Sequence, residues 1–234
     1  MKRFILLVAM AVMTATSAVW AQSKNVKRPE TFNFQRAMEA YGNENYDEAI
    51  TYLQQELQQD EKNGYAYLYI ASINNYREEF GKALTMINKA LTYLPKKDKE
   101  YVAAAYDIRS NIFLATEDTL KALEDINMAV KIYPDDDEEI EKRGDLYWQM
   151  KKYDLSNIDY LYLISKDESN ASGHMGYGRN LMYENKLSEA KEQFSYVIKM
   201  YNDYSRAYAF LADCQLREKK WNDAADNLIQ ALSI

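Results

Sequence analysis

From residue 30 onward, apolar residues recur at spacings of three and four, which places them on one face of a helix; Ala83, Leu84, Ile87, Ala90 and Leu91 make one such stripe. The stripes are themselves periodic, because similar phrases return every 34 residues. Asn45-Tyr46-Asp47-Glu48-Ala49-Ile50 is echoed by Glu79-Phe80-Gly81-Lys82-Ala83-Leu84, by Asp118-Thr119-Leu120-Lys121-Ala122-Leu123 and by Lys220-Trp221-Asn222-Asp223-Ala224-Ala225. A fixed period of this length marks stacked structural units. In this register the units are 30–63, 64–97, 103–136, 137–170, 171–204 and an incomplete 205–234, and only residues 98–102 break the count.

Two positions in every unit are small. The eighth holds Ala37, Ala71, Ser110, Gly144, Gly178 and Ala212, and the twentieth holds Ala49, Ala83, Ala122, Ser156, Ala190 and Ala224. The twenty-fourth is large and apolar throughout, with Leu53, Ile87, Ile126, Tyr160, Phe194 and Leu228. Small residues let two helices approach closely, and a bulky residue one turn later fills the space beside that contact. Pro95 and Pro134, at position thirty-two, end the second helix, while Gly42-Asn43 and Glu117-Asp118 fall where the first helix must turn into the second. Each unit is therefore expected to be a helical hairpin. A single hairpin cannot bury both of its faces, so the hairpins must stack on their neighbours.

This pattern resembles the tetratricopeptide repeat family, whose 34-residue unit has small residues at eight and twenty, an aromatic near seventeen and Pro at thirty-two. The resemblance covers residues 30–234. It implies an all-α fold, a right-handed superhelical solenoid of about six helix–turn–helix repeats. The chain departs from the family at Arg36, where an apolar residue is usual, and at Glu61, Glu168 and Asn202, which stand where the terminal Pro would be.

Composition agrees with helices, since 7 Gly and 3 Pro are few for the many turns of an all-β chain, and 47% hydrophobic residues supply a core. The N-terminus stands apart. Lys2 and Arg3 precede an apolar stretch from Phe4 to Val12, then small residues leading to Ala21, which reads as a secretory signal peptide over 1–21 followed by a disordered linker over 22–29. The apolar run is short of the roughly 20 residues a bilayer span needs, so no membrane span is expected after cleavage. The only Cys is Cys214, which excludes a lipoprotein-type anchor and any internal disulfide. The expected location is exported, periplasmic or secreted, of bacterial type. The net charge of −7 becomes more negative once Lys2 and Arg3 are removed, and no basic run is present to release counterions from a nucleic acid.

Catalytic chemistry finds little to use. There is one His, one Cys and no Gly-rich phosphate loop, so an enzyme is not expected, nor a cofactor or a metal. His174 reads as a packing residue. The run Asp135-Asp136-Asp137-Glu138-Glu139 reads as a helix start, where carboxylates complement the helix dipole. Asn170-Ala171-Ser172 matches a glycosylation acceptor, a three-residue match that often arises by accident.

The family resemblance implies that positions two, five, nine and twelve of each unit line a concave groove. It points to Phe34, Met38 and Tyr41 beside Tyr65, Leu68, Ser72 and Asn75 as an apolar, aromatic end. Asp107, Asn111, Leu114, Glu138, Glu141, Asp145 and Trp148 then form an acidic middle, followed by Met175, Arg179 and Met182. Family members that clamp carboxylate tails carry Lys and Asn where this chain has Phe34 and Met38, so the expected ligand is instead an extended polypeptide with apolar and basic groups. The expected function is a non-catalytic protein–protein interaction module or scaffold. The alternative is the accessory module of a larger exported enzyme, a peptidase or glycan-handling protein. Leu228, Ala231 and Leu232 on an uncapped last helix also raise end-to-end self-association.

Overall fold

The computed structural model describes residues 26–234. The expected signal peptide and the first residues of the expected linker lie outside the described residues. Those described form twelve α-helices and no strand. They pair as α1 (Phe32–Gly42) with α2 (Tyr46–Gln59), α3 (Gly64–Tyr76) with α4 (Phe80–Tyr93), and α5 (Lys99–Ala115) with α6 (Thr119–Ile132). The remaining pairs are α7 (Asp137–Gln149) with α8 (Tyr153–Lys166), α9 (Ala171–Tyr183) with α10 (Leu187–Met200), and α11 (Ser205–Arg217) with α12 (Trp221–Ser233). Two compact units result: the first, ending at Pro134, holds three hairpins, and the second, Asp135–Ile234, holds the other three. Within each unit every helix packs on the next in chain order.

The small positions explain this packing. All twelve are buried. Leu53, Ile87, Ile126, Tyr160 and Phe194, at position twenty-four, are buried too, whereas Leu228 of the last hairpin is exposed along with Ile229 and Leu232. Glycines mark close approaches in both units: a Cβ on Gly64 would lie 2.5 Å from the Leu94 backbone, one on Gly178 2.7 Å from the Phe194 ring and one on Gly176 2.2 Å from the Tyr160 ring.

Each hairpin turns in the same way. Glu44, Glu78, Glu117, Lys151, Asn185 and Lys219, the fifteenth residue of each repeat, all have φ between 59° and 63°. The amide of each donates to the carbonyl three residues back, and the next amide donates to the carbonyl five back, as in Glu44 N to Tyr41 O and Asn45 N to Ala40 O. This is the Schellman termination, which normally takes Gly at the left-handed residue. Gly42, expected to make the turn, is instead the last residue of α1, two places before the bend.

Four of the six first helices are capped by side chains. Thr31, Asn63, Asp136 and Asn170 each accept a backbone N–H of the helix that follows. The acidic run at 135–139 and the Asn170 tripeptide thus have structural roles as helix starts. One feature is irregular: α5 has 17 residues where the other first helices have 11 or 13, because residues 98–102 add a turn at its start.

Candidate functional site

In the first unit the residues expected to line a groove mostly pack against one another. Phe34, Tyr41, Tyr65 and Leu68 are buried, and Met38 packs beside them. The rings meet edge to face, with Phe34–Tyr69 centroids 6.0 Å apart, Tyr41–Tyr69 5.2 Å and Tyr65–Tyr101 4.9 Å. That geometry brings positive ring edges to negative ring faces. The hydroxyls are paired as well, Tyr41 with Ser72 at 3.0 Å and Tyr69 with Tyr101 at 3.3 Å. Asn75, Asp107 and Asn111 are half-buried, and Asn111 donates to Asp107 one turn away at 3.1 Å. The aromatic end is therefore a wall with few open side chains.

The second unit is different. Glu141 and Asp145 of α7, Tyr160 of α8, Ser172, Met175, Gly176 and Arg179 of α9, and Tyr204, Arg206 and Phe210 at α11 surround a cleft. Its free volume of about 40 Å³ would hold a few water molecules or the end of one side chain. Arg179 is the hinge of the polar network: its Nη2 donates to Asp145 Oδ1 at 2.6 Å and to the Tyr160 hydroxyl at 2.7 Å, and Tyr160 donates to Asp145 at 2.6 Å. The guanidinium lies 4.0 Å from the centroid of Trp148, a cation–π contact. Sequence reasoning thus named four residues, Asp145, Trp148, Arg179 and Glu141, that the fold brings to one place.

Electrostatics at the cleft follow from burial. Burial raises the Glu141 carboxyl above its ordinary range, Asp145 and Glu138 add to this, and a hydrogen bond with Ser172 and the nearby Arg206 oppose it. Burial, then the Asp145 carboxylate, keep the Tyr160 phenol protonated. Two buried donors, Arg179 Nε and Trp148 Nε1, have no acceptor in the protein. Buried N–H groups are rarely left so.

Sequence reasoning missed three things. Position twenty-four marks Tyr160 as a packing residue, yet its hydroxyl sits in the network. Arg109 and Arg143 form two-pronged ion pairs with Asp125 and Asp159 across their hairpins, at 2.7 Å and at 2.6–3.0 Å. Their spacing of 16 recurs 34 residues later, a signal present in the sequence. The third is Arg28, in the stretch expected to be a linker, which is fixed to Asp98 and Glu100 because its guanidinium finds two carboxylates there.

His174 offers no free nitrogen, since Nδ1 pairs with Gln193 and Nε2 with the Glu168 carbonyl. No group of three or more His, Cys, Asp or Glu side chains suited to a metal occurs among the described residues. Nor is any helix among them long and apolar enough to cross a membrane.

Known proteins share this architecture. The chain is 25% identical over 194 residues to a DnaJ homolog subfamily C member 7 homolog of Dictyostelium discoideum, spanning 81% of this chain but 31% of that protein. Among solved structures, a tetratricopeptide repeat protein of Parabacteroides merdae superposes with a TM-score of 0.74 at 18% identity, covering 86% of this chain and 78% of that one. YrrB, described as a tetratricopeptide repeat protein with an unusual peptide-binding site, superposes with a TM-score of 0.62 at 17% identity over 77% of this chain and 91% of its own. MamA of Desulfovibrio magneticus gives 0.63 at 14% identity, covering 73% and 93%. At such identities these likenesses concern the fold. A family model described as tetratricopeptide repeat matches residues 34–98 and 177–232, which together are more than half of the sequence, and with helix–turn–helix repeats throughout the described residues the chain belongs to the tetratricopeptide repeat family.

Proposed function

We propose that the chain is a protein-interaction module that holds an extended polypeptide on its first helices, with the cleft of the second unit as the place where one partner side chain is recognised. The observation that carries this reading is Arg179, which lines the cleft and is held in place there by Asp145, Tyr160 and Trp148. Glu141 and Arg206 beside Met175 and Phe210 offer both charges next to an apolar wall, which suits a side chain with an apolar stem and a polar head. YrrB's peptide-binding site supports the class of ligand. Scaffolding rather than catalysis fits a family generally without catalytic centres, and the relative being about three times longer leaves room for such a module within a larger protein.

Isothermal titration with a peptide of alternating Lys, Tyr and Leu, against one ending in Asp and Glu, tests the reading. The basic aromatic peptide should bind at least about tenfold more tightly, and Glu141→Ala should remove most of that difference. Equal binding of the two peptides would reject it. Export is a further part of the proposal, supported by the Lys2-Arg3 start and the short apolar run. N-terminal sequencing of the protein from cells should begin at Gln22, and a start at Met1 would refute export by cleavage.

A further inference from the structure

The five residues that interrupt the 34-residue period build a feature of the first unit. They add a turn to α5, and that turn carries Glu100 and Tyr101. Asp98 stands at the N-cap of α5, the position from which Thr31, Asn63, Asp136 and Asn170 cap their own helices. Asp98 makes no such side-chain bond. Its carboxylate, 1% exposed, instead accepts the Tyr65 hydroxyl at 2.8 Å and two donors of Arg28, Nε at 3.1 Å and Nη2 at 3.2 Å. Arg28 Nη2 also donates to Glu100 at 2.6 Å, and the guanidinium carbon lies 4.4 Å from the centroid of Tyr101.

This donor set is specific in kind. A planar cation with forked N–H groups meets a carboxylate on two prongs, a second carboxylate on one, and an aromatic face below. An ammonium group could not satisfy both prongs and the stack together. The walls are rigid, because Tyr65 and Tyr101 are locked edge to face at 4.9 Å and Tyr101 is tied to Tyr69. The occupant is held differently: Arg28 lies outside any helix, 70 residues away in the chain, and its side chain keeps 32% of its surface exposed. An aspartate at a helix start that gives up capping to hold a guanidinium points to a site made for that group.

We propose that Asp98, Glu100, Tyr65 and Tyr101 form an arginine-binding site, occupied here by the chain's own Arg28, so that residues 26–31 act as a strap that an arginine of a bound polypeptide can displace. The last clause rests on the chain being a polypeptide binder; the site itself does not. The test separates the two by using the strap as the probe. A fluorescent peptide with the sequence of residues 26–33 is titrated into the full chain and into its Arg28→Ala variant, with anisotropy as the readout and circular dichroism as the check on folding.

The Arg28→Ala chain should bind the peptide at least about tenfold more tightly than the parent chain, whose site is filled. The same peptide with Ala in place of its Arg should lose that gain, and a second change, Asp98→Asn, in the Arg28→Ala chain should abolish it. Should Arg28→Ala not fold, Arg28→Lys serves in its place and should show a smaller gain, because lysine holds the site less well than arginine. Equal binding by variant and parent, or equal binding of the two peptides, overturns the proposal and leaves Arg28 as a fixed structural clamp. A variant that captures the strap peptide while the Lys-Tyr-Leu peptide fails to bind would keep the site and sink the wider reading.

Discussion

In the first unit α3 buries Tyr65, Tyr67 and Tyr69 together with Ile70 and Ile73, whereas its counterpart in the second unit, α9, carries Gly173, Gly176 and Gly178 along the same length. The two helices occupy equivalent places in equivalent hairpins, so the difference lies in where the bulk comes from. In the first unit the first helix brings its own aromatic rings. In the second, its backbone is bare and the volume is supplied from across the contact, by Tyr160 of α8 and Phe194 of α10. Interior glycine costs roughly 0.5–1 kcal/mol against alanine in a helix, so three in α9 are a burden the first unit does not carry. What the second unit has besides is the cleft, which Gly176 lines beside Arg179, while the tyrosine wall of the first unit is closed.

The contrast predicts where each unit breaks. Phe194→Ala should be the most damaging change, because the ring is fully buried, stacks on Phe210 at 5.3 Å and faces a glycine with no side chain to fill the void. A loss of about 3–5 kcal/mol is expected. The equivalent change in the first unit, Ile87→Ala, should cost about 2–4 kcal/mol, since side chains surround that site and can relax into it. Urea melts of the two variants measure the difference, and an equal loss would mean that the glycines matter less than the shared register.

Next in size is Gly176→Ala. Helix propensity alone favours alanine, but the new methyl would meet the Tyr160 ring at 2.2 Å, so a net loss of about 1–3 kcal/mol is expected. Gly42→Ala in the first unit has nothing within 4 Å and should gain about 0.5–1 kcal/mol. Opposite signs in thermal melts support the account; a gain at both positions would show that Tyr160 can swing aside.

These expectations depend on how much of the molecule could be read in advance. The register was legible because packing positions such as Ala49 and Leu53 keep one identity class across every repeat, and packing at close range tolerates little else. The positional rule for the groove found Glu141, Asp145 and Arg179, which meet in the cleft, but it also named Tyr65 and Leu68, which are 4% and 2% exposed. Position fixes direction, not openness, and neighbouring aromatic residues close on one another. Glu117-Asp118 marked one left-handed turn, but the others were hidden because Glu, Lys and Asn occupy them, while Gly42 advertised a turn two residues early. The Arg28 site could not be read at all, since it joins residues 70 apart that both lie outside the repeat register.

The turns themselves offer a smaller test. A non-glycine residue held at φ near 60° costs roughly 1 kcal/mol, so Lys151→Gly in the second unit and Glu78→Gly in the first should each stabilise by about that amount. If the second unit is the weaker, only Lys151→Gly should raise the first transition in a melt. A rise from Glu78→Gly alone would invert the comparison.

The finest test uses Cys214 as a reporter on α11 of the second unit. Its thiol is fully buried, and burial, with help from Asp213, pushes its pKa up to about 11. The sign follows from linkage: the folded state favours the protonated thiol, so this contribution is complete below the ordinary thiol value of about 8.5 and is lost as pH rises through about 11. At pH 8 a disulfide reagent should therefore label Cys214 only when the second unit opens, at a rate set by the opening equilibrium. Gly176→Ala should speed labelling roughly tenfold or more for each 1.4 kcal/mol it costs, while Ile87→Ala should leave the rate nearly unchanged. Were Ile87→Ala to accelerate labelling by as much as its own stability loss, the two units would open as one, and the weakness assigned to α9 would belong to the whole array.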